Sequence, residues 1–343
     1  MARVTVVANA HARGGGEISS ATLIRMIAAR RHAVTFRPTG KIGATYRIPS
    51  SVVVGPPLAS AAPERCDVLL FYANDAVYKL EEQRSHWEGL LKAAGRVVVC
   101  LNFVLGQATL PWFAEMVDAV IFLNSTKCAE FVGRVRAFSG EVIVLPPPVD
   151  LEPFLAVSPD YSRVSFVRHG RYAGKYDEID TMVLLDRARA IFPMADFWFM
   201  AAPPFLRTRV ASDLRIHGLA WDQVPVPEFL SQGSAYWYRL PPSLRDQGPR
   251  VLVEAMAAGL PCIVDNRDGA KDRVTSDAGW LCETTDDYVA AMMEIEAHPE
   301  VLRIKGRHAR ERARREFNPG RWIDAVLGAR GQRTSEAPSI APP

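Results

Sequence analysis

Short apolar runs alternate along this chain with longer spacers of helical pattern. Val4 to Ala8 reads as a buried strand, Gly14-Gly15-Gly16 as a loop, and the next stretch as a helix with Ala21, Leu23, Ile24, Ile27 and Ala28 on its apolar side. Further strands are predicted at 33–36, 51–54, 68–72, 96–101, 119–123 and 142–145, with helical spacers around 79–94 and 111–117. Such alternation is the signature of βαβ units and a parallel sheet. At Pro146-Pro147-Pro148-Val149-Asp150 the pattern breaks, because three successive prolines make a stiff, extended connector. The alternation then restarts, with strands at 164–167, 197–200 and 262–265, a helix at 180–191, another opening at Pro249, and a last one at about 300–317. The predicted class is α/β: two Rossmann-like parallel-sheet domains facing a central cleft, one over 1–147 and one over 148–330. Residues 331–343, polar and proline-rich, read as a disordered tail. Ligands bind in crevices at the carboxyl ends of such strands.

Composition narrows this picture. With 343 residues, 48% hydrophobic and 23% charged, the chain has globular values and the length of two domains. No run of about 18 apolar residues is present, and the first residues reach a glycine loop too soon for a secretory signal. Five scattered cysteines form neither a disulfide framework nor a zinc knuckle, so a reducing cytoplasm is expected. The net charge is only +3, yet residues 1–50 hold eight Lys or Arg against one acid, Glu17. That bias suits an anionic partner, such as a peripheral contact at the inner membrane face, or a solvated helix face balanced by later acids. Nucleic acid is disfavoured, since no basic run is interleaved with aromatics.

The most informative segment runs from Arg245 to Pro261. Gly248-Pro249 opens a helix and Gly259 closes it, with Pro261 just beyond. From Val251 to Ala258 every residue is apolar except Glu254, so the helix is buried and the carboxylate must have strong partners. Those partners are either protein groups or ligand hydroxyls, and the sequence does not choose between them. The helix start also suits a phosphate or a developing anion. A second cluster, Arg168-His169-Gly170-Arg171-Tyr172-Ala173-Gly174-Lys175, follows a strand. There Arg171 and Lys175 supply a planar fork and a movable point charge, a pair suited to a diphosphate. Gly14–Gly16 sits in the first βα turn, where glycines allow close backbone approach. Its spacing is not G-x-G-x-x-G, and strand two ends in Phe36-Arg37-Pro38 without an acid for a ribose, so a nicotinamide enzyme is disfavoured.

These motifs together resemble the GT-B glycosyltransferases of the family 4 type. Gly14–Gly16 is similar to their glycine loop, Leu145–Asp150 to their interdomain segment, and Gly170-Arg171-x3-Lys175 to their GR…K element. Pro242-Ser243 and Asp246-Gln247-Gly248-Pro249 through Glu254-Ala255-Met256-Ala257-Ala258-Gly259-Leu260-Pro261 are similar to their C-terminal signature, with Gly269 and Gly279 where they flank a short helix. The resemblance implies a retaining transferase that moves a sugar from a nucleoside diphosphate sugar, UDP- or GDP-linked, to a hydroxyl of a glycan, lipid-linked glycan or small metabolite. Arg171 and Lys175 would hold the diphosphate, Glu254 the ribose, and Asp246 the sugar hydroxyls. Gly248 and Pro249 would approach the sugar or phosphate, and Gly15 and Gly16 would close from the other domain.

Asp246 is one methylene shorter than the usual glutamate, and Gln247 stands where an aromatic is usual, so the donor sugar does not carry over. Asp246 and His11 are the candidate catalytic residues, His11 being the nearest histidine in the first βα loop. Neither a metal nor a cofactor is expected, because Asp286-Asp287 reads as a helix start and charge neutralisation falls to Arg and Lys. Tyr236-Trp237-Tyr238 reads as a packed strand. Phe103, Trp112 and Phe113 are acceptor-pocket candidates. The rival readings are a non-catalytic sugar-nucleotide or glycan-binding protein and a sugar-nucleotide epimerase.

Overall fold

The structure, a computed structural model, describes residues 1–11, 14–44, 46–56, 64–72, 84–101, 114–135, 137–170 and 174–328. Two parallel sheets organise the chain. The first has seven strands: β1 (Arg3–Ala8), β2 (Ala33–Pro38), β3 (Val53–Val54), β4 (Val68–Tyr72), β5 (Val97–Leu101), β6 (Ala119–Phe122) and β7 (Glu141–Val144). Their spatial order is β3-β2-β1-β4-β5-β6-β7. The second has six: β8 (Ser165–Arg168), β9 (Asp196–Met200), β10 (Ile216–Leu219), β11 (Ala235–Tyr238), β12 (Cys262–Asp265) and β13 (Gly279–Cys282). Their order is β10-β9-β8-β11-β12-β13.

Central strands such as β4 and β5 are buried at every position, which is why they read as continuous apolar runs. Each sheet reverses its winding once, between β1 and β4 and between β8 and β11. A ligand crevice opens beyond the strand ends at such a reversal.

Differences from the expected elements are small. The third strand shrinks to Val53–Val54, both residues exposed at the sheet's edge. Gly269 does not precede the short helix but lies inside it, at Asp268–Lys271. Pro249 is the cap rather than the first helical residue of the Arg250–Ala257 helix. Gly259 ends that helix with φ +85°, a conformation that disfavours any side chain. The expectations around 79–83 and 111–113, together with Phe103, Trp112 and Phe113, lie outside the described residues, as does the tail 331–343.

The first sheet's core is completed from the far end of the chain. Trp322, Ile323 and Val326, on the Gly320–Leu327 helix, are buried among Val6, Leu70, Tyr72 and Val98. The Trp322 ring lies 5.5 Å from that of Tyr72, and its Nε1 donates to the Pro146 carbonyl at 2.6 Å. Trp322→Ala is therefore expected to cost about 3–5 kcal/mol in urea unfolding, the range for deleting a buried aromatic. A loss under about 0.5 kcal/mol would show that this helix does not support the first sheet.

Candidate active site

The two winding reversals face each other across one cleft of about 780 Å³. On the first wall β1 runs out at Ala8 into Asn9, and the chain returns at Gly14 to start the Gly15–Ala29 helix. Gly14 has no side chain to cap the helix. Glu17 reaches back instead, its Oε2 accepting from the Gly14 N–H at 3.1 Å. Nothing lies within 4 Å of where a Cβ would stand on Gly15 or Gly16. The first N–H groups of the helix thus open on the cleft, with the positive end of the helix dipole behind them.

The second wall is built on β8 and β11. At the end of β8, buried Arg168 lays its guanidinium 3.6 Å from the centre of the Tyr176 ring and donates to the Lys175 carbonyl at 2.5 Å. That grip fixes the backbone carrying Lys175. The Lys175 Nζ meets Asp246 Oδ2 at 2.5 Å, and the Tyr238 hydroxyl at the end of β11 donates to the same oxygen at 2.5 Å. Burial alone would raise the Asp246 carboxyl, but Lys175, Tyr238 and the Gly248 N–H outweigh it and hold it below the usual carboxylate range.

Glu254 sits one turn into the Arg250–Ala257 helix, and the protein engages both of its oxygens. Arg250 Nε donates to Oε1 at 2.6 Å, while His169 Nε2 meets Oε2 at 2.8 Å. Here too burial would raise the carboxyl, and Arg250 and His169 reverse the effect so that it lies below the ordinary glutamate value. Of the two sets of partners open to this acid, protein groups are present, and the side chain still borders the cleft. Arg250 Nη1 also donates to the Pro148 carbonyl at 2.8 Å and to Ser19 Oγ at 3.4 Å, so the cluster reaches the first domain.

Similar architecture occurs among solved structures. Anabaena HepE in complex with UDP-glucose aligns with a TM-score of 0.70 at 14% identity, covering 96% of this chain and 99% of that one. WaaG, a glycosyltransferase involved in lipopolysaccharide biosynthesis, aligns at 0.66 and 13%, covering 95% of this chain and 100% of that one. Sucrose-phosphate synthase from Thermosynechococcus elongatus gives 0.65 and 15%, with 96% and 97% covered. The chain has the GT-B fold. Residues 223–315 match the family model described as Glycosyl transferases group 1. No curated protein matches the sequence.

Within the GT-B frame the cleft brings together Gly15, Gly16, Lys175, Asp246, Gly248, Pro249 and Glu254. His11 is placed elsewhere: it is exposed and does not line the cleft, where Asn9 from the same loop does. Arg171 lies outside the described residues. Among the described residues no three His, Cys, Asp or Glu side chains converge as metal ligands, and no helix is long and apolar enough to cross a membrane.

Two residues of this site had no role assigned from the sequence. Arg250 is recognisable in hindsight from its four-residue spacing to Glu254 on one helix. His169 has no such local signal, since Glu254 is 85 residues away. Gln247, noted from the sequence only for standing where an aromatic is usual, has a structural partner. Its backbone and side-chain oxygens accept from Asn124 Nδ2 at 2.8 and 2.7 Å, tying the loop between Asp246 and Gly248 to the first domain. Ser125 Oγ donates to Asp272 at 2.7 Å beside it. Leu123 packs so closely on Gly248 that a Cβ there would stand 2.7 Å from its Cδ1. An aromatic at 247 would lose the amide oxygen that accepts from Asn124.

Proposed function

We propose that this chain is a retaining glycosyltransferase that uses a nucleoside diphosphate sugar. The observation that carries this reading is the meeting of Lys175, Asp246 and Glu254 with the open start of the Gly15–Ala29 helix in one cleft between two sheet reversals. The group 1 match over residues 223–315 supports it, because that segment contains Asp246 and Glu254. HepE, a protein of similar fold, is known in complex with UDP-glucose, which favours a uridine donor here.

In this reading Lys175 and the helix N–H groups take the diphosphate, Arg171 supplies a second cation, and Glu254 accepts from the ribose hydroxyls. The Lys175–Asp246 pair holds both groups in place until the donor arrives. Lys175 then turns to the phosphate, and Asp246 accepts from the sugar hydroxyls. During transfer the bond from the anomeric carbon to the diphosphate oxygen breaks, and charge grows on the leaving group where Lys175 and the N–H dipoles already point. The acceptor hydroxyl attacks from the face the diphosphate leaves, and its proton passes to the departing phosphate oxygen. Configuration is retained, and no protein base is required. The acceptor approaches along the first domain, and catalysis rests on positioning and on stabilising the leaving group.

A thermal-shift panel of UDP-, GDP-, ADP- and TDP-sugars tests donor binding, since stabilisation grows with ligand concentration over Kd. One donor class is expected to stand out, and proton NMR of the product should show the donor's anomeric configuration. Inversion would refute the retaining mechanism. Binding without turnover across hydroxyl acceptors would favour a non-catalytic binding protein, and a new sugar nucleotide formed without acceptor would indicate an epimerase.

A further inference from the structure

The first wall of the cleft extends well beyond the helix start. Gly14, Ile18, Ala21 and Arg25 all line it, at the spacings that place residues on one stripe of a helix. At 1.5 Å per residue, Arg25 stands about 15 Å along the axis from Gly15. Beside it Tyr46 stacks on Phe36 at 5.4 Å and its hydroxyl lies 2.9 Å from Ser20 Oγ, which pins the segment leading to Arg47 against the helix. Arg47 lines the same end of the cleft.

These two arginines differ from three other cations of the basic N-terminal region. Arg3 pairs with Asp67, Arg30 with Asp324 and Arg37 with Glu64. Arg25 donates to Thr22 Oγ1 at 3.1 Å and Arg47 to the Ala44 carbonyl at 3.0 Å. Neither has a carboxylate within ion-pair distance among the described residues. Glu17, the acid on this wall, is engaged by the Gly14 N–H. Three of the region's eight cations are thus paired with acids away from the cleft, while the two that line it are not.

We propose that Arg25 and Arg47 bind an anionic group of the acceptor, a phosphate or carboxylate set back from the hydroxyl that receives the sugar. The proposal rests on the glycosyltransferase reading above. A donor diphosphate held at Lys175 and Gly15 does not extend 15 Å down this helix, so the anion belongs to the other substrate. Two planar guanidinium forks suit tetrahedral or trigonal oxyanions. The distance selects acceptors whose charge lies a few sugar-lengths from the reacting end, such as an anionic oligosaccharide or the phosphate of a glycolipid headgroup.

The test uses the full chain and the double variant R25Q/R47Q, both positions being exposed. Initial rates are measured with the preferred donor and acceptors matched except for charge: a neutral oligosaccharide, its phosphorylated form, its uronate form, and vesicles containing an anionic glycolipid. The wild-type chain is expected to favour the charged acceptors at least tenfold in kcat/KM. In the double variant that preference should vanish, mainly through a higher KM, while donor Kd stays within twofold. The soluble and vesicle arms show whether the anion comes from a free glycan or a lipid. Equal use of neutral and charged acceptors by the wild-type chain, or an intact preference in the variant, would overturn the proposal. Failure of the wild-type chain to bind any sugar nucleotide would instead refute the underlying reading.

Discussion

Lys175→Ala is expected to weaken UDP or GDP binding at least about tenfold, because one charged hydrogen bond contributes roughly 1.5–3 kcal/mol. Calorimetric titration checks this, with circular dichroism to show that the variant folds. The substitution also frees Asp246, which keeps the Tyr238 hydroxyl but loses the cation that offsets its burial. The Asp246 carboxyl should therefore titrate higher in the variant. In the wild-type chain its folded value is depressed, so its contribution to stability is present above the ordinary carboxylate value and is lost as pH falls through the folded one. The variant should lose that part of the acid dependence. Unchanged nucleotide affinity in a folded Lys175→Ala protein would remove this side chain from the site.

The largest structural effect is expected at Glu254. Glu254→Ala leaves Arg250 and His169 facing each other without the carboxylate between them, in a place where Glu254 is only 6% exposed. Breaking a buried pair by removing one partner costs about 3–5 kcal/mol. Because Arg250 also reaches Pro148 and Ser19, the loss should loosen the contact between the two domains as well. Glu254→Gln keeps the shape and one acceptor and should lose less. The pH sign follows from the depressed carboxyl: stability from Glu254 is full above its unfolded value near 4.5 and fades as pH falls below it. Urea midpoints of wild type, E254Q and E254A at pH 7 and pH 4 check this. The gap between wild type and E254Q should narrow at the lower pH, and a gap independent of pH would contradict an ionised Glu254.

Much of the framework was legible because it is local. The runs Val68–Tyr72 and Cys262–Val264 are apolar, since both faces of a central parallel strand are covered, and they lie in β4 and β12. The buried helix from Arg250 announced itself by its apolar stretch between Gly248-Pro249 and Gly259. Strands β10 and β13 escaped notice. The first reads Ile-His-Gly-Leu, with a polar ring and a glycine inside four residues, and the second begins at a glycine whose Cβ would collide with the Cys262 carbonyl. Tertiary fit, not local pattern, makes both of them strands.

The candidate site shows the same division. The resemblance of the motif around Asp246 and Glu254 implied a sugar-nucleotide site, and the cleft brings these two residues together with Lys175 and Gly15–Gly16. What the sequence did not reveal is pairing at long range. Asn124 and Gln247 lie 123 residues apart, and His169 and Glu254 lie 85 apart. Neither histidine nor asparagine carries a periodic signal that would announce such a partner. His11 adjoins the glycine loop in sequence, yet it is exposed while Asn9 borders the cleft.

A crystal structure of the chain with UDP tests the central claim most directly. The account predicts the β-phosphate between the start of the Gly15–Ala29 helix and Lys175, with the Lys175–Asp246 contact opened and the ribose against Glu254. Nucleotide bound outside the cleft, or a diphosphate that leaves the Lys175–Asp246 pair closed and untouched, would contradict it.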